Sequence, residues 1–164
     1  MAWSLLREML APGAELSNPC ARCGGPHGPV QTTDAAARPA VAYAGTIALS
    51  AVAGAGPGSF AIDAEPETDP VRDIVGLAGT LGARADVRLR DWVRVEAALK
   101  ADGRGLRVDP GGVAVDAVTD VRWRAVVPGG SPVNGWDLSG IPGVMVSAAI
   151  SAAEEEAPCH PATL

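Results

Sequence analysis

Four side chains in the middle of the chain have the types and spacing to do chemistry: Asp63, Glu65, Glu96 and Lys100. Asp63 and Glu65 close a short apolar run, Ser59-Phe60-Ala61-Ile62-Asp63-Ala64-Glu65-Pro66. In a strand, the i, i+2 spacing puts both carboxylates on one side with Ala61, while Phe60, Ile62 and Ala64 point the other way. Pro66 then stops the ladder. Two carboxylates held side by side repel unless one takes a proton or a cation lies between them. A hard divalent ion such as Mg²⁺ is the usual remedy, because it takes oxygen ligands and keeps waters in its remaining positions. The spacing alone is equally compatible with an exposed turn carrying solvated acids.

Glu96 and Lys100 lie in Asp91-Trp92-Val93-Arg94-Val95-Glu96-Ala97-Ala98-Leu99-Lys100, which reads as a helix. Trp92, Glu96 and Lys100 follow at i, i+4 and i+8 on one face, and Val95, Ala98 and Leu99 form an apolar stripe that would bury against a sheet. On its own an i,i+4 Glu/Lys pair reads as a solvated salt bridge worth a few tenths of a kcal/mol. Lys100 is nonetheless the only lysine in the chain; the other twelve basic residues are arginine. Trp92 reads as packing rather than chemistry, since a helix aromatic beside a sheet usually anchors a core.

The elements that must position these groups follow from turn signals and periodicity. Residues 1–10 read as a short helix closed by Pro12-Gly13, and Ser17 to Pro39 as loop. Ala40 to Gly45 and Thr46 to Ala53 read as two strands, and Gly54 to Ser59 as a hairpin turn into the carboxylate strand. A short helix is expected from Pro70 to Leu77, with Asp69 as its cap, and the central helix from about Asp86, another candidate cap, to Ala101, ending at Gly103. Leu106 to Val108, Gly112 to Val115, Val121 to Val127 and Gly143 to Ile150 read as antiparallel strands. In the third of these, Val121, Trp123, Ala125 and Val127 alternate with Arg122, Arg124 and Val126, as in a half-buried strand with two arginines outward. The expected class is α+β, an antiparallel sheet packed on one long helix.

The chain reads as one domain over 1–164, with an N-terminal helix and loop (1–39), a core (40–153) and a frayed tail (154–164). It contains no run of about 18 uninterrupted apolar residues, so no membrane span is expected. The first ten residues lack a signal-peptide pattern, and three cysteines, an odd number, fit a reducing compartment. Both features favour the cytoplasm. Net charge is −6, yet residues 84–124 hold nine basic groups against seven acids, +2, leaving −8 for the remainder. A basic region inside an acidic protein suits a compact polyphosphate ligand and argues against nucleic acid as partner. Cys20-x-x-Cys23, His27 and the distant Cys159-His160 could assemble on paper into a zinc site, giving a small zinc-stabilised interaction domain. A turn carrying two reduced thiols is the simpler reading.

The ordered pair of motifs, Ile62-Asp63-Ala64-Glu65 ending a strand and Trp92-x-Arg94-Val95-Glu96-Ala97-x-x-Lys100 with Gly103-x-Gly105-Leu106 after it, resembles the 4'-phosphopantetheinyl transferase superfamily, in its surfactin-synthetase-activating type. Cys20-Ala21-Arg22-Cys23-Gly24-Gly25-Pro26-His27-Gly28 resembles a segment found ahead of the core in many members. Gly135-Trp136-Asp137-Leu138 and Pro142 to Ile150 are similar to the closing strand. The resemblance implies the family's fold with a reduced first half-domain. Self-association could then cover sheet surface that this half leaves open. It implies Mg²⁺-dependent transfer of the 4'-phosphopantetheine arm from coenzyme A to a serine of an acyl or peptidyl carrier protein. In that scheme Asp63, Glu65 and Glu96 hold the metal, Glu96 is general base, and Lys100 neutralises phosphate oxygens. Tyr43 stands where the family has a phosphate-contacting histidine, and Arg94 is expected to stand in for the basic residue many members carry at the position of Val95. Gly28 is followed directly by Pro29, without the family's intervening Lys or Arg. The competing expectation is a catalytically weakened relative that binds a carrier protein or nucleotide without transfer.

Overall fold

The computed structural model describes residues 1–69, 74–82 and 88–152. The expected helix start at Pro70, the Asp86 cap, Arg84 and the tail with Cys159 and His160 lie outside the described residues. The chain is α+β. It opens with α1 (Ala2–Met9), a two-residue ribbon of β1 (Leu16–Ser17) and β2 (Gln31–Thr32), and a long antiparallel ribbon of β3 (Ala37–Ala44) and β4 (Ile47–Gly54). The carboxylate strand β5 (Phe60–Pro66) follows, then α2 (Ile74–Thr80) and the central helix α3 (Leu89–Asp102). Strands β6 (Ala114–Ala117), β7 (Arg122–Val126), β8 (Val133–Leu138) and β9 (Val144–Ser151) complete a five-stranded antiparallel sheet in the order β5-β9-β8-β7-β6.

α3 forms because its ends are closed and its inner face is continuous. The Arg88 backbone N–H donates to the Asp91 carboxylate at 2.9 Å, and Gly103 adopts φ +84°, the left-handed conformation that ends a helix cheaply only in glycine. Val95, Ala97, Ala98 and Leu99 are fully buried against the sheet, and Val93 is fully buried as well. Burial of each large apolar side chain contributes about 1.5–3 kcal/mol, several times what an exposed charge pair on the outer face could add. The expected apolar stripe is therefore real, and wider than Val95, Ala98 and Leu99.

β5 has two working faces. Ala61 joins the cluster under α3 with Trp123, Ala125, Val133 and Ala149, while Ile62 and Ala64 pack with Ala40, Ala42 and Ala44 of β3. The result is three layers, ribbon on sheet on helix, with small alanines allowing β3 to lie close on β5. Residues 54–59 are not a hairpin as expected: β5 pairs with β9, Phe60 opposite Ile150 and Asp63 opposite Ser147. The segment crosses from ribbon to sheet, pinned by Arg38, whose guanidinium donates to the carbonyls of Gly54, Pro57 and Gly58.

Two other expectations change. Leu106 lies in a 3₁₀ turn, Gly105–Arg107, because Gly103 and Gly105 both take positive φ and turn the chain before a strand can start. A second turn, Pro110–Gly112, delays β6 to Ala114. In β7 the alternation appears as read for Trp123 and Ala125, inward, and Arg122 and Arg124, outward, whereas Val121 precedes the strand and is exposed. Trp123 stacks over Gly135, its partner in β8. A Cβ at Gly135 would stand 2.1 Å from two carbons of the indole ring. Gly135→Ala is expected to lower stability by about 1–3 kcal/mol or more, as overpacking does; an unchanged midpoint in urea denaturation would contradict this packing.

Candidate functional site

Asp63 lies on the α3 side of β5 and is buried, with 5% of its surface exposed. The helix brings Lys100 down to it from the last turn: Lys100 Nζ is 2.5 Å from Asp63 Oδ1. That contact satisfies one carboxylate oxygen. The other, Oδ2, is buried and has no hydrogen-bond partner among the described residues. An ionised oxygen left unmatched away from water is costly, and such atoms call for an ion or a bound water.

Glu65, two residues along the same strand, and Glu96, one turn before Lys100, complete the acidic set. Glu96 is half-buried, and its carboxyl is held above the ordinary glutamate range, first by burial and then by the negative charge of Asp63, with Lys100 opposing and Glu65 adding a smaller push. The three expected carboxylates thus feel one another at one end of α3. They do not crowd to ligand-sharing distance: among the described residues, the one set of three ligand-type side chains whose donor atoms all lie within 4.8 Å is Cys20, Cys23 and His27. An all-oxygen donor set with an orphaned Asp63 oxygen fits a hard divalent cation such as Mg²⁺, which would supply neutralisation of phosphate charge.

Beside this set opens a cleft of about 550 Å³. Arg22, Lys100, Arg104 and Arg107 line it, and no carboxylate does so among the described residues. Arg104 is fixed there by Asp102, 2.6 Å from its Nε, and by the Pro128 carbonyl. Arg107 donates to the Gly103 carbonyl at 3.0 Å. The remaining wall is largely apolar, from Pro39, Val41, Phe60 and Ile62. Cations and apolar surface in one cleft suit a ligand with phosphates and an uncharged arm.

Two expected binding residues do not line the cleft. Arg94 faces β8 instead of the cleft: it is buried, with its Nε 3.0 Å and its Nη2 2.6 Å from the Asp137 oxygens. Asp137 also accepts the Ser147 hydroxyl at 2.6 Å. This bidentate pair clamps α3 to β8 and β9, so the Arg94 guanidinium is already engaged. Tyr43 is 60% exposed and does not line the cleft. Strand alternation sends Ala42 and Ala44 toward β5 and Tyr43 away from it. Arg22, Arg104 and Arg107 were the converse omission; only the local excess of basic residues hinted at two of them.

No protein-family model matches the chain, and no curated protein matches it.

A glutamate whose folded form favours the proton destabilises the fold as it ionises: that loss begins at its unfolded pKa and is complete above its raised folded one. Glu96→Gln is therefore expected to raise the Tm at neutral pH. The gain should vanish as pH falls to the ordinary glutamate value of about 4.3. A Tm difference that is independent of pH, or of opposite sign, would contradict the electrostatic coupling.

Proposed function

We propose that this chain is a 4'-phosphopantetheinyl transferase, with the fold of that superfamily. It would move the 4'-phosphopantetheine arm of coenzyme A to a serine of an acyl or peptidyl carrier protein. The observation that carries the reading is the half-satisfied Asp63 carboxylate, bound to a Lys100 that also lines a cleft with three arginines, with Glu96 one turn back on the same helix. Acids for a divalent ion, a carboxylate with raised proton affinity and cations for phosphates are the parts that phosphoryl-type transfer needs.

In the reaction the serine oxygen attacks the phosphorus bearing the pantetheine arm. A new P–O bond forms as the bond to adenosine 3',5'-bisphosphate breaks, and the serine proton passes to Glu96. Lys100 and the arginines of the cleft balance negative charge on the departing bisphosphate. Asp63, Glu65 and Glu96 would hold Mg²⁺ at the pyrophosphate.

One observation favours a second reading. Tyr43 stands off the cleft, and Gly28 leads directly to Pro29, so two phosphate contacts expected of the family have no counterpart here. A relative that binds coenzyme A or a carrier without transfer would tolerate both.

The two readings part in one assay. With coenzyme A, Mg²⁺ and a panel of apo carrier proteins, the transferase adds the mass of one phosphopantetheine arm to a carrier, and Glu96→Gln slows the addition by about 10²–10⁴-fold. Coenzyme binding by calorimetry without mass gain on any carrier favours the second reading. Absence of mass gain together with absence of binding to coenzyme A and to every carrier would overturn both.

A further inference from the structure

The loop between β1 and β2 carries the best-formed ligand cluster in the described chain. The sulfurs of Cys20 and Cys23 and a ring nitrogen of His27 lie within 4.8 Å of one another. Cys23 Sγ is 3.0 Å from His27 Nε2, and both cysteines are free thiols. The loop that holds them is closed by its own backbone. Cys20 N–H donates to the Gly25 carbonyl at 2.8 Å, Gly24 N–H to the Cys20 carbonyl at 2.8 Å, His27 N–H to the Gly25 carbonyl at 2.9 Å and Gly28 N–H to the Asn18 carbonyl at 2.7 Å. The Asn18 side-chain amide adds a bond to the Pro26 carbonyl at 2.8 Å.

Glycine is required twice. Gly24 turns the loop at φ +71°, and a Cβ at Gly28 would sit 2.1 Å from the Pro19 carbonyl oxygen. The loop is therefore built to bring residues 20, 23 and 27 together, not left to chance by composition.

We infer that Cys20, Cys23 and His27 bind a zinc ion that staples this loop against the cleft. Two thiolates and an imidazole are a donor set that selects zinc over hard cations. Tetrahedral zinc, with bonds of about 2.0–2.3 Å, wants its donor atoms roughly 3.5–3.8 Å apart. Cys23 and His27, at 3.0 Å, would open slightly to meet that, and the pairs with Cys20 already lie within 4.8 Å. Binding would displace protons from the two thiols. Among the described residues no fourth protein donor joins the set, which leaves one position for water or for a donor atom of a cleft ligand. The placement has a consequence: Cys20, Arg22, His27 and Gly28 all line the 550 Å³ cleft, so the ion would hold one wall of it, Arg22 included.

The inference does not depend on the transferase reading, because metal content reports on the loop whatever the cleft holds. The test is metal analysis of the full chain, purified without an affinity tag under reducing conditions and without chelators, followed by Co²⁺ substitution. About one zinc per chain is expected, with a thiolate-to-cobalt charge-transfer band and the intense d–d absorption of tetrahedral cobalt. Cys20→Ser, Cys23→Ser and His27→Ala should each lose the zinc, and Cys159→Ser should keep it. Substoichiometric zinc, a six-coordinate cobalt spectrum, a Cys20–Cys23 disulfide in the reduced preparation or metal retained by the ligand variants would overturn it. The wild-type cobalt spectrum decides the matter even where a variant fails to fold.

Discussion

The structure turns on a carboxylate buried under a helix. Asp63 sits inside, where an isolated charge is expensive, and among the described residues only its Oδ1 is answered, by the one lysine of the chain. For that bond to form, α3 must cross β5 with its last turn over residue 63. The helix must also stop at once, or its continuation would cover the cleft. Gly103 provides the stop, and Lys100 places its charge at the helix C-terminus, where a cation is favoured. The unmatched Oδ2 then becomes a demand that the folded chain does not meet with its described side chains.

The packing around this point explains why the demand can persist. Apolar burial along α3, with Trp123, Ala125, Val133 and Ala149 beneath it, supplies the stability. The buried Arg94–Asp137–Ser147 network fixes the other end of the helix to β8 and β9. Removing either member of such a buried pair typically costs about 3–5 kcal/mol. The helix is thus held by groups that take no part in the site, and the acidic set can remain strained and open. A site whose own contacts are imperfect, on elements anchored elsewhere, is a common arrangement for groups that await a ligand.

Short-range periodicity was legible in the sequence. The two faces of β5 and the buried stripe of α3 follow from periods of 2 and 3.6, and the structure has both. What depends on distant partners was not. That β5 pairs with β9 rather than β4 is decided by residues some eighty positions away, with Asp63 opposite Ser147. Arg94 read as a ligand-facing cation because nothing local shows that Asp137, 43 residues on, lies across from it. Leu106 to Val108 is too short for alternation to mean anything, and the glycines before it govern. The Cys20, Cys23 and His27 spacing was visible, but the backbone bonds that close the loop around it were not. No helix among the described residues is long and apolar enough to cross a membrane.

The central claim is that Asp63 is the anchor of a divalent-cation site on an otherwise finished fold. Electron paramagnetic resonance of Mn²⁺ titrated into the protein tests it most directly, since bound ion loses the signal of the free one. The account predicts about one site per chain, competed by Mg²⁺, absent in Asp63→Asn and retained in Cys20→Ser. Mn²⁺ binding by Asp63→Asn equal to that of the wild type would contradict it.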